Sequence, residues 1–126
     1  MNDLRSPLGR ARGLGSAKDG VHHFWVQRVS AVALVPLALW FVFSVARLRG
    51  ADYGMVRHFV HAPSVAVTLI LFIAAALYHS ALGVQVVIED YVGGEFKKIV
   101  SLLLMKFAHA IVAAAAIFAV LKIAFS

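Results

Sequence analysis

The sequence has no cysteine and few charged residues of either sign. Without cysteine the chain cannot supply a disulfide, a thiolate nucleophile or an iron–sulfur ligand, so any metal centre must use histidine or carboxylate ligands. It also lacks the Walker, GxGxxG, HExxH and GxSxG sequences, and we do not expect this chain to be catalytic in isolation. Charged residues make up 14% and hydrophobic residues 62%, against about 25% and about 45–50% in soluble domains. This composition argues against a water-soluble globule.

Three long segments are almost free of charge: residues 29–46, 62–88 and 99–121. A helix needs about 20 apolar residues to cross a hydrocarbon core about 30 Å thick. The segments are too long for buried strands and lack period-2 alternation, so each must satisfy its backbone hydrogen bonds as a helix. The sequence therefore predicts an all-α membrane protein. Its three transmembrane helices are predicted at about residues 24–46, 63–89 and 98–123.

The first 20 residues differ from the rest, with four basic residues, four glycines and one proline. We expect a flexible basic tail at residues 1–20 and a transmembrane anchor domain at residues 21–126. Seven lysines and arginines lie in the N-terminal region and the second loop, against four in the first loop and at the C-terminus. This excess predicts a cytoplasmic or matrix N-terminus and a C-terminus on the opposite side of the membrane. The net charge of +6 lies at the span ends, which favours anionic lipids as partners and not nucleic acid.

His79 is the most informative polar residue, because it lies roughly 13 Å inside an otherwise uncharged span. Ala75, Ala76 and Gly83 share its helix face. Small residues around a histidine leave a flat shelf on which a porphyrin could lie while its iron reaches the imidazole. A neutral histidine bonded to a neighbouring helix is the alternative, and small residues also mark ordinary helix contacts in membranes.

A second group of polar residues ends the same span. Glu89 and Asp90 stand at a helix C-terminus, where the macrodipole favours cations, and Tyr91 follows them. Arg28 and the lysines at residues 97–98 are available to offset these charges. The group predicts either an interfacial salt-bridge cluster or a proton-linked site where a phenol donates to a ligand carbonyl.

His109 leaves two further alternatives open. It lies at a depth close to that of His79, which permits either a second iron ligand within the chain or a histidine satisfied by its neighbours. A small proton-coupled transporter or channel using His79, His109 and Asp90 is the alternative function. A purely structural scaffold is a third possibility.

Two stretches carry a resemblance to a known family. One is GVHHF at residues 20–24, followed by Arg28, and the other is YHSALG at residues 78–83, followed by EDYV at residues 89–92. Together they resemble the hydrophobic membrane anchor, or D subunit, of succinate dehydrogenase. The resemblance extends over nearly the whole chain and implies an anchor subunit of succinate:ubiquinone oxidoreductase, respiratory complex II. It does not choose between succinate oxidation and fumarate reduction.

The resemblance also implies a haem site. His79 would be one axial ligand of the iron of haem b, and a companion cytochrome b anchor subunit would supply the other. His22, Arg28 and Gly83 would form the haem environment.

A quinone site is implied as well. Tyr91 would hydrogen-bond a ubiquinone carbonyl, with Asp90 and Arg28 beside it. A flavoprotein subunit and an iron–sulfur subunit would dock on the cytoplasmic or matrix face of a bacterial or mitochondrial inner membrane.

Overall fold

A computed structural model describes residues 7–8 and 17–126. From Ala17 onward these residues form four helices and no strand. Three of the helices are long and apolar enough to cross a membrane, which confirms the predicted all-α class with three spans. The helices are α1 (Ala17–Arg47), α2 (Tyr53–His61), α3 (Pro63–Tyr91) and α4 (Glu95–Ala124).

The ends of the helices differ from those predicted. α1 begins at Ala17, so it takes in the last residues of the segment predicted as a flexible tail. α4 begins at Glu95, before the predicted start near residue 98. Both extensions contain charged residues, and a hydropathy pattern does not register a helix that continues beyond its apolar segment. The rest of the predicted tail, at residues 1–6 and 9–16, lies outside the described residues.

α2 was not predicted, because its nine residues are too few to cross a membrane. Gly50 adopts the left-handed backbone conformation, with φ of 79°, in the turn before it. Asp52 then caps the helix, and its carboxylate accepts a hydrogen bond of 2.8 Å from the Met55 amide. One face is buried at Val60, so α2 packs against the ends of the long helices.

α3 is the middle helix of an open row. It packs against α1 on one side and α4 on the other, and α2 packs on α3 and α4 at one end. Within the described residues, α1 and α4 make no close backbone approach. Stacked aromatic pairs join α1 to its neighbours: Phe41 with Phe72 of α3, and Trp40 with Phe59 of α2. A row that does not close leaves a wide face of every long helix uncovered.

The core is correspondingly small. Buried Val60, Ala66 and Val120 form one cluster where α2, α3 and α4 meet. Most large apolar side chains are exposed instead, such as Val32 at 72% and Phe118 at 67%. Soluble monomers rarely expose apolar patches of this extent. The exposed faces are therefore surfaces for lipid or for other subunits.

The tight contact at Ala66 gives a stability prediction. Ala66 is 5% exposed, so Ala66→Leu must force α3 away from its neighbours, at a cost of about 1–3 kcal/mol. We expect the thermal midpoint of the detergent-solubilised protein to fall by about 2–8 °C. Ala115→Leu is the matched control, because Ala115 is exposed on α4. Equal midpoints for the two variants would show that Ala66 is not a packing contact.

Candidate functional site

His79 lies on α3 and makes a hydrogen bond to α1. Its Nδ1 is 2.9 Å from the hydroxyl oxygen of Ser30. Ser30 is buried at 9% exposure, and its hydroxyl also donates a bond of 2.9 Å to the backbone carbonyl of Gln27. The contact between Ser30 and His79 therefore joins α1 to α3 and sets these two residues at the same level.

The other ring nitrogen of His79, Nε2, makes no hydrogen bond with the described residues. No side-chain nitrogen or oxygen among those residues is both buried and without a partner, and His79 is half-buried. Nε2 is therefore not enclosed by the described residues. The half-buried imidazole thus presents one bonded and one accessible nitrogen.

The helix surface beside His79 is open. A Cβ atom added at Gly83, one turn further along α3, would meet nothing within 4 Å. Ala75 and Ala76, one turn before His79, are small and half-buried. These residues fit a flat group that carries a metal, since they leave room along the helix and offer one nitrogen ligand. Within residues 7–8 and 17–126, no three histidine or carboxylate side chains converge on a metal, so further ligands would come from the group itself or a partner.

His109 is placed differently. Its Nδ1 donates a bond of 2.9 Å to the Met105 carbonyl, and its Nε2 is 3.1 Å from the Ser80 hydroxyl. Because a carbonyl only accepts, Nδ1 carries the proton and Nε2 accepts from Ser80. Both nitrogens are thus occupied within the chain. Of the two interpretations open from the sequence, the geometry favours the satisfied histidine.

The two histidines also face different helices. His79 bonds to α1, whereas the next residue, Ser80, bonds to His109 of α4. Successive residues of a helix point about 100° apart, so α3 separates the two imidazoles. Asp90 lies eleven residues, about 16 Å, further along α3 than His79. The structure does not bring together the three residues of the alternative proton path.

The polar group at the end of α3 is exposed on this chain. Tyr91 is 84% exposed and Asp90 is also exposed. Glu89 accepts a bond of 3.0 Å from Gln85, one turn earlier on the same helix. A phenol and a carboxylate on adjacent residues are thus available to a ligand at the membrane surface.

Arg28 lies at the level of His79. Since Ser30 contacts His79, Arg28 is only about 3 Å from that level along α1, well short of the α3 terminus. Residues two positions apart on a helix point about 200° away from each other. Because Ser30 faces α3, Arg28 points away from α3. Its guanidinium lies over the Phe24 ring, 5.1 Å from the ring centroid. Arg28 is exposed, and it faces away from α3.

His22 lies nearer than Arg28 to the level of Asp90. It precedes Ser30 by eight residues, about 12 Å along α1, and Asp90 is about 16 Å beyond His79 in the same direction. His22 is exposed. The structure thus separates two of the three residues predicted beside the haem: Arg28 lies at the level of His79, and His22 lies close to the level of Asp90.

Comparisons with known proteins identify a family of membrane proteins. A profile described as succinate dehydrogenase/fumarate reductase transmembrane subunit matches residues 2–121. The chain belongs to this family. A succinate dehydrogenase hydrophobic membrane anchor subunit of Rickettsia bellii is 36% identical over 90 residues, which is 71% of this chain and 72% of the relative. The corresponding subunit of Paracoccus denitrificans is 34% identical over 110 residues, covering 87% and 85% of the two chains.

Membership of the succinate dehydrogenase/fumarate reductase transmembrane subunit family confirms the resemblance inferred from the two motifs. With its three apolar spans, this family member is an integral membrane protein. Ser30 is the site residue that sequence reasoning missed. A hydroxyl inside the first span was the available signal, but which hydroxyl faces His79 depends on the register of α1 against α3.

Proposed function

We propose that this chain is the membrane anchor subunit of succinate:ubiquinone oxidoreductase and that it shares a haem b and a quinone site with partner subunits. The observation that carries the proposal is the accessible Nε2 of His79, whose other nitrogen is held by Ser30. The relatives named above are anchor subunits of succinate dehydrogenase, which supports the same assignment.

His79 would hold the haem iron through Nε2. Gly83 leaves space beside it, and a companion cytochrome b subunit would supply another ligand. When bound, a haem with two histidine ligands supplies one-electron storage without an open iron position. Arg28, at the same level and facing outward, would bind a negatively charged group such as a propionate. His22 would lie closer to the membrane surface.

Tyr91 and Asp90 would form this chain's part of the quinone site. Reduction of ubiquinone to ubiquinol takes two electrons, supplied by succinate oxidation, and two protons. The Tyr91 hydroxyl would donate to a quinone carbonyl and the Asp90 carboxylate would pass protons from water. Their exposed position on α3 suits a ligand shared with another subunit. Arg28 lies at the level of His79 and not at the end of α3, so it would reach toward this site only by the length of its side chain.

The uncovered faces of the helix row would bind the companion cytochrome b subunit and lipid. The flavoprotein and iron–sulfur subunits would dock at the end that carries Tyr91, with Lys97 and Lys98 beside it. That end would face the cytoplasm or the matrix, together with the N-terminus. Anionic lipid headgroups would neutralise the remaining basic residues.

Purification of the tagged chain from native membranes tests this proposal. We expect a large flavoprotein, an iron–sulfur subunit and a second small hydrophobic chain to copurify, together with a Soret band. A colourless preparation made only of this chain, active in proton-coupled flux, would contradict the proposal and support the transporter.

A further inference from the structure

Ser30 is a buried polar side chain of α1, at 9% exposure, and it has two hydrogen-bond contacts. Its hydroxyl oxygen is 2.9 Å from the Gln27 carbonyl and 2.9 Å from Nδ1 of His79. A buried hydroxyl in a membrane span needs partners, because an unsatisfied polar group costs about 1–3 kcal/mol. The Gln27 carbonyl alone would meet that need. The need for a partner therefore does not explain the second contact, which Ser30 makes with His79 of α3.

The count of protons fixes the direction of this contact. A hydroxyl has one proton, and the Ser30 proton is donated to the Gln27 carbonyl, which cannot donate in return. Toward His79, Ser30 can then only accept. The proton of a neutral imidazole must accordingly be on Nδ1, which leaves a lone pair on Nε2.

This tautomer matches the accessibility of the ring. Nε2 is the nitrogen without a partner among the described residues, and those residues do not enclose it. Metal-binding histidines generally donate their other N–H to a fixed acceptor, which orients the ring and raises the basicity of the ligating nitrogen. Ser30 supplies that acceptor on a different helix from His79.

We propose that Ser30 is a positioning residue, which holds His79 as the Nδ1–H tautomer with Nε2 directed outward, and that it thereby tunes the haem iron. This inference rests on the proposed haem ligation by His79. A more basic imidazole stabilises ferric iron over ferrous iron, so the Ser30 contact lowers the reduction potential of the haem. Loss of such a partner generally weakens metal binding by about 10–100-fold.

The test uses the intact purified complex with three substitutions at this position. Ser30→Ala removes the acceptor, Ser30→Cys keeps the size with a weak acceptor, and Ser30→Thr keeps the hydroxyl. Ser44→Ala is the matched control. The Ser44 hydroxyl donates a hydrogen bond of 2.7 Å to the Trp40 carbonyl of the same helix, and it has no cross-helix partner among the described residues. Haem content per flavin, the haem midpoint potential and the low-spin electron paramagnetic resonance signal are measured for each.

We expect a more positive potential, an altered low-spin signal and about 10–100-fold weaker haem retention in Ser30→Ala, with a smaller change in Ser30→Cys. Ser30→Thr and Ser44→Ala should match the wild type. Unchanged potential and signal in both Ser30→Ala and Ser30→Cys would overturn the proposal, as would a Ser30→Thr complex that resembles Ser30→Ala. A wild-type complex without haem, or His79→Ala with normal haem, would instead refute the proposed function.

Discussion

Replacing His79 with alanine should remove the haem from the assembled complex. Loss of an outer-shell partner already weakens metal binding by about 10–100-fold, so loss of an axial ligand must weaken it at least as much. The accessible Nε2 is the nitrogen that His79→Ala deletes. We expect the haem content per flavin to fall more than about tenfold, measured from the reduced-minus-oxidised spectrum of the purified complex.

His109→Ala is the matched control for this experiment. It removes an imidazole of a neighbouring helix, but both nitrogens of His109 are already bonded to Met105 and Ser80. Its haem spectrum should remain that of the wild type. If His109→Ala lost the haem and His79→Ala retained it, the ligand assignment would have to move to α4.

Tyr91→Phe should separate quinone reduction from succinate oxidation. The substitution deletes one hydroxyl from a side chain that is 84% exposed, so the fold has little to lose. A hydrogen bond to the reacting carbonyl contributes about 1 kcal/mol or more, and 1.36 kcal/mol corresponds to about tenfold in rate. We expect ubiquinone reduction to fall about tenfold while electron transfer from succinate to a soluble dye is unchanged.

Tyr53→Phe provides the control for Tyr91. Tyr53 begins α2 at the other end of the spans and is 75% exposed, so it tests the loss of a surface phenol far from the proposed quinone site. Both activities should survive in this variant. Equal loss of quinone and dye reduction in Tyr91→Phe would mean that the residue supports assembly and not the quinone.

The sequence predicted the membrane-spanning part of the fold well, for a simple physical reason. A lipid-facing segment must satisfy every backbone hydrogen bond internally, so a long apolar stretch forms a helix. α2 was missed because its stability comes from the Asp52 cap and the burial of Val60. Neither depends on a long apolar stretch. The arrangement of the helices in an open row also depends on packing that hydropathy does not contain.

The candidate site was predictable in part. Depth and periodicity singled out His79, and the motifs pointed to Asp90 and Tyr91. The partner of each polar group was not predictable, since it depends on the register between helices. That register sets Ser30 against His79 and Ser80 against His109. It also places Arg28 at the level of His79. Arg28 is therefore less able to serve both the proposed haem site and the proposed quinone site than the sequence implied.

A density map of the intact complex is the most direct test of the central claim, that His79 binds haem iron through Nε2. We expect a flat macrocycle against the face of α3 that carries Gly83, with its iron bonded to Nε2 of His79 and with Nδ1 still hydrogen-bonded to Ser30. The second axial ligand should come from another subunit. A map in which Nε2 of His79 bonds to a protein group, with no iron beside it, would show that His79 is not a haem ligand.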